Sequence, residues 1–101
     1  MTELEKKFYF DMLRICDVAK KEFDYDPKIF RGMVANSGGV ETAKKLLRHK
    51  DIQYGFDVLW RKKRLDLTME AHVIKTEYVT LFTEDEINET RNRLIAHEYT
   101  F

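Results

Sequence analysis

Apolar residues recur at Leu4, Phe8, Met12, Ile15, Ala19 and Phe23, in steps of three and four, with no Pro or Gly among them. That spacing predicts a helix with one buried stripe. Tyr9, Leu13 and Cys16 widen the stripe, so the helix is expected to pack against more than one neighbour and to act as the backbone of the fold.

Asp24-Tyr25-Asp26-Pro27 ends this helix and opens a second. Asp26 is suited to cap it and Pro27 to occupy its first position, where a missing N–H costs nothing. Ile29, Phe30, Met33 and Val34 form its expected apolar face, and Asn36-Ser37-Gly38-Gly39 stops it, because glycine reaches the left-handed C-terminal cap without a steric penalty. A third helix is expected from about Val40 to Arg48, with Ala43, Leu46 and Leu47 inward and Lys44, Lys45 and Arg48 outward. Phe56, Leu59 and Trp60 mark a fourth, with Trp60 as its core anchor, running into Arg61-Lys62-Lys63-Arg64.

Asp66 or Thr68 can cap a fifth helix with Met69, Val73 and Ile74 apolar. Tyr78-Val79-Thr80-Leu81-Phe82 has strand-like composition, but a lone strand in a helical chain has nothing to pair with, so it reads as a helix end plus a turn. Thr83-Glu84-Asp85-Glu86 is a capping box that starts a last helix reaching about His97, with Ile87, Leu94 and Ile95 inward. The pattern predicts an all-α fold: one domain over residues 1–101, a compact orthogonal bundle of five to six short helices.

Composition agrees with this pattern. Four Gly and one Pro in 101 residues are too few for turn-rich β-structure, and 44% hydrophobic residues are too many for a disordered chain. A chain of this length buries about 60 to 65% of its unfolded surface, enough for a core without staples. Cys16 is the single cysteine and falls inside a helix pattern, so it is expected to be a packed thiol rather than a nucleophile. With no apolar run of spanning or signal length, the cytoplasm is the expected compartment.

Net charge is zero, but it is unevenly spread. Residues 25–65 carry ten basic and four acidic side chains, an excess of six, which the acidic excess of the two ends balances. Such a chain either pairs its basic middle with its acidic ends across the fold, which is the favoured reading, or shows a basic face to an acidic partner.

The order Gly38-Gly39-Val40-Glu41-Thr42-Ala43-Lys44-Lys45-Leu46-Leu47, then Gly55-Phe56 with Leu59-Trp60, Arg64-Leu65-Asp66-Leu67-Thr68-Met69-Glu70-Ala71, and Leu81-Phe82-Thr83 resembles a family of uncharacterised bacterial proteins. Its members occur as small stand-alone chains and as modules of larger ones. The resemblance implies a bacterial origin and the same fold boundaries, and brings no biochemical role or site. Arg61 stands where that pattern has an acidic residue and His72 where it has an aliphatic one.

No catalytic constellation is expected. Asp66 and Glu70 are four apart, yet capping and first-turn roles, with Arg64 neutralising one of them, explain them better than acid–base work. His49, His72 and His97 lack second ligands at metal spacing, and His72 reads as a half-buried, hydrogen-bonded imidazole. Gly38-Gly39 lacks the Lys-Ser/Thr of a phosphate loop, and Ser37 is a turn residue. No cofactor is therefore expected.

Two binding surfaces are candidates. Tyr9, Phe10, Tyr25, Tyr54, Tyr99 and Phe101 exceed what so small a core can hold, so Tyr9, Tyr54, Tyr99 and Phe101 are candidates for an interface with a protein partner or a second copy. A non-enzymatic interaction or homo-oligomerising module is the leading class. The alternative is a nucleic-acid-associated accessory protein that contacts phosphates through Lys44, Lys45, Arg48, Arg61, Lys62, Lys63 and Arg64. Basic side chains that answer a helix dipole are the simpler account of the same residues.

Overall fold

The first helix, α1 (Glu3–Phe23), starts at a capping box of its own. The Glu5 N–H donates to Thr2 Oγ1 at 3.1 Å, and the Thr2 N–H donates to Glu5 Oε1 at 3.0 Å. In the computed structural model, which describes residues 2–49 and 55–100, five further α-helices follow: α2 (Lys28–Ser37), α3 (Gly39–Arg48), α4 (Phe56–Arg61), α5 (Met69–Val73) and α6 (Glu84–Ala96). Two 3-10 turns, Leu65–Leu67 and Val79–Leu81, lie between them, and no strand occurs among the described residues. The chain is an all-α bundle.

The α1 stripe is buried as its spacing requires, with Phe8, Met12, Ile15, Cys16 and Ala19 all inside. Helix α3 occupies the middle and touches α1, α2, α5 and α6. Its approach to α1 depends on Gly39, where an added Cβ would lie 2.9 Å from Tyr9 Cα and 3.1 Å from the Phe8 ring. Gly38 ends α2 at φ 85° and ψ 169°, a conformation essentially confined to glycine but different from the left-handed cap that the sequence suggested. The glycine pair is thus a sharp corner and a contact point at once.

Phe8 is the centre of an aromatic group. Its ring meets Tyr78 edge-on at 5.0 Å and Phe82 at 5.4 Å, an arrangement favourable beyond area burial alone. The Tyr78 hydroxyl donates to the Asp11 carboxylate, which satisfies the one polar atom of a wholly buried ring. Burial and Asp11 together raise the Tyr78 pKa. Within residues 78–82 a 3-10 turn, Val79–Leu81, forms in place of a strand, in keeping with the helical reading.

Several local expectations need correction. Asp26 does not cap α2: Pro27 is at the cap position, and the Asp26 carboxylate pairs with Arg31 at 2.6 Å, because a guanidinium one turn into the helix outcompetes neutral amides. The apolar pattern predicts Ile29 and Ile95 inward, yet they are 69% and 62% exposed. Helix α2 buries the Phe30–Val34 face and α6 the Thr90–Leu94 face, so each isoleucine, one residue off its face, is turned by about 100° to solvent. Cys16 is buried, its thiol donates to Met12 O at 3.7 Å, and burial pushes its pKa up to about 11.

The deepest polar contact joins three helices. Glu70, at 1% exposure, receives Arg93 Nη1 at 3.1 Å, while Arg93 Nε donates to Glu89 at 2.7 Å. Arg93 Nη2 donates to the carbonyls of Leu46 at 2.9 Å and Leu47 at 3.3 Å, so one guanidinium closes the C-terminal turn of α3 and neutralises α5. Burial works against the charged guanidinium, but Glu89 and Glu70 outweigh it and raise the Arg93 pKa. Asp66 and Glu70 are accordingly not a pair: Asp66 binds Arg64, and Thr68, not Asp66, caps α5 by accepting from the Ala71 N–H at 3.2 Å.

Candidate interaction groove

Helix α4 is six residues long and follows the left-handed Gly55. One side of it faces in, with Leu59 buried. Trp60, the next residue, is 46% exposed, so it does not serve as the core anchor that its size suggested. So short a helix buries a single side, and Leu59 already fills it. His97 supports the indole from below the end of α6, its ring edge-on to Trp60 at 4.8 Å and to Phe56 at 4.7 Å.

His97 is itself fixed. Its Nδ1 lies 2.8 Å from Arg93 O, and a carbonyl only accepts, so Nδ1 carries a proton and donates to it. The same Arg93 that ties the core together thus orients, through its backbone, the histidine that holds Trp60.

Both helices end in the same way. After α4 the Arg64 N–H reaches back to Leu59 O at 2.8 Å, and after α6 the Tyr99 N–H reaches back to Leu94 O at 2.9 Å. Each closure needs a residue with positive φ, usually glycine. Here the two positions hold Lys63 at φ 60° and Glu98 at φ 61°.

These two ends border one groove of about 600 Å³, lined by Trp60, Arg61, Lys63, His97, Glu98 and Tyr99. Leu65, Asp66 and Thr100 complete its wall. Arg64 flanks it with its charge already used: Nη1 is 3.0 Å from Glu22, Nε is 3.1 Å from Asp66, and the guanidinium lies 6.0 Å from the centre of the Phe23 ring. Asp66 raises the Arg64 pKa against the cost of burial, and Glu22 adds to the rise. Arg61, Lys62 and Lys63 are exposed and make no ion pair among the described residues. Tyr99 also lines a second depression of about 530 Å³ with Ile74, Lys75 and Thr76.

The residues proposed from sequence are therefore divided. Lys44 is half-buried, 2.8 Å from Glu86 and 5.5 Å from the centre of the Phe82 ring, so it belongs to the packing of α3 against α6 rather than to an outward basic face. Lys45 and Arg48 are exposed on α3 and do not line the groove. Of the aromatic candidates, Tyr99 lines the groove, and half-buried Tyr9 packs on the core beside exposed Phe10. Tyr54 and Phe101 lie outside the described residues.

Basic middle and acidic ends meet at Lys44–Glu86 and Arg64–Glu22, so internal pairing takes some of the cations and leaves others facing water. Sequence reasoning missed the role of His97 and the outward face of Trp60. The one signal available was Trp60's position beside Arg61 at the end of a short helix.

Among the described residues no three His, Cys, Asp or Glu side chains are grouped to hold a metal, and no helix is long and apolar enough to cross a membrane. No family profile, no curated protein and no solved structure matches the chain significantly. The functional reading therefore rests on the groove itself.

Proposed function

We propose that this chain is a non-enzymatic protein-interaction module and that the Trp60 groove is its contact surface. The observation that carries the reading is Trp60: a large aromatic, exposed and held edge-on by His97 beside an open groove. Rigid aromatic side chains lose little entropy on contact and dominate the energetics of many interfaces. Replacement of Trp60 by alanine is expected to leave the fold intact and abolish association. Photocrosslinking from position 61 in cells, together with sedimentation at rising protein concentration, tests this: crosslinks or self-association that require Trp60 support the reading. A monomer at every concentration, without crosslinks, contradicts it.

A second reading has its own observation in its favour. Arg61, Lys62 and Lys63 stand beside an exposed indole, the combination that binds single-stranded nucleic acid by phosphate contacts and base stacking. With Lys44 and Arg64 engaged elsewhere, three cations remain there, and the salt dependence of binding to a single strand should have a slope of about −2.

A further inference from the structure

We infer that the occupant of the groove is a protein segment carrying acidic residues next to an apolar side chain. This rests on the reading of the groove as an interaction surface and specifies what enters it.

Charge balance around the groove carries the argument. Arg64 and Asp66 neutralise each other, with Glu22 as a third member. What is left in the groove wall is Arg61 and Lys63 against Glu98, with Lys62 between the two cations in the chain, all four exposed and without an ion pair among the described residues. A cationic excess beside an apolar wall of Trp60, Leu65 and Tyr99 fits a ligand with a carboxylate close to an apolar group.

The backbone supplies a second, independent argument. Three non-glycine residues have positive φ among the described residues, Asp24 at the end of α1 and Lys63 and Glu98, and the last two line the groove. Glycine at either position would close its helix without strain, so what the chain retains there is a charged side chain at a conformational cost. Lys63 contributes the attraction for a carboxylate. Glu98 sets a limit on it: a polymer with a phosphate at every unit would bring negative charge onto its carboxylate, whereas a peptide can place its acids by Arg61 and Lys63 alone. This favours a peptide over a nucleic acid.

Trp60 is the sole tryptophan, so its emission reports the groove directly. The full-length chain is titrated with three probes: a terminally blocked peptide of glutamates flanking a Phe-Leu pair, the same peptide with lysines for glutamates, and a short oligothymidylate. The glutamate peptide is expected to shift the emission and bind best. Lys63→Gly should weaken it by about three- to fivefold, the size of one exposed charge contact, and Glu98→Gly should not weaken it. Lys63→Asn, which keeps the left-handed turn and removes the charge, separates a charge effect from a backbone effect. Tighter binding of the lysine peptide overturns the acidic occupant while leaving the interaction module standing; tighter binding of the oligothymidylate replaces it with the nucleic-acid reading. Self-association that shields Trp60 makes a second copy the occupant. No response to any probe, in a chain that stays monomeric, removes both the occupant and the module.

Discussion

The Arg93–Glu70 contact and the Trp60 groove lie at either end of one short stretch of α6, and they use charged and aromatic groups in opposite ways. At Arg93 each of the three guanidinium nitrogens has an acceptor, the Glu70 carboxylate is buried, and the guanidinium ties α3, α5 and α6 together. One turn further on, at His97, an indole faces solvent, three cations stand without an ion pair among the described residues, and two non-glycine residues hold positive φ. A fold is held by groups whose bonding is complete. A contact surface is left with bonding to complete, so the two regions should respond oppositely to substitution.

The largest effect is expected at Arg93. Arg93→Ala leaves the Glu70 carboxylate without its guanidinium and strips Leu46 and Leu47 of a donor, which should cost about 3 to 5 kcal/mol in urea unfolding. A loss below about 1 kcal/mol would mean that this contact is no more structural than a surface pair. Next comes the contrast between neighbours on α4. Leu59→Ala should cost about 2 to 5 kcal/mol, and Trp60→Ala no more than about 1 kcal/mol, the worth of its ring contacts with His97. Equal losses would erase the distinction between core and groove.

Lys63→Gly and Glu98→Gly should each raise stability, by about 0.5 to 1 kcal/mol, because relief of the left-handed conformation exceeds the added freedom of the unfolded chain. A measured destabilisation by both would place these side chains among the structural groups. The smallest effect concerns His72, buried with Nδ1 at 2.8 Å from Thr68 O. Burial, partly offset by that carbonyl, holds its pKa below the ordinary value. Below about pH 6.5 the unfolded chain takes up a proton that the folded chain refuses, so the stability present above that pH declines as pH falls through it. His72→Gln should flatten this decline in thermal melts at successive pH values.

The parts of this architecture that were legible in the sequence are those set by neighbours in the chain. Thr83 and Glu86 announce their capping box, the α1 stripe declares its buried side, and Gly38-Gly39 mark a corner. Thr2 and Glu5 carry the same signature at the start of α1 and were no less readable. Glu70 and Arg93 were not readable: they are 23 residues apart, and only the packing of α5 on α6 brings them together. Trp60, Ile29 and Ile95 show a different limit, because on short helices a buried face is one or two residues wide and an adjacent apolar residue cannot be distinguished from it by type. The groove was half legible. Its cations and Tyr99 stood out as candidates, but the convergence of two helix ends on Trp60 is a tertiary fact.

The central claim is that the single tryptophan stands at the surface in a cationic setting. Collisional quenching of its emission in the native protein tests this without any partner. Iodide, an anion drawn toward Arg61, Lys62 and Lys63, should quench Trp60 efficiently and caesium much less, with the difference shrinking as salt screens the charges. A blue-shifted emission resistant to both ions, or quenching by caesium as strong as by iodide, would contradict the account.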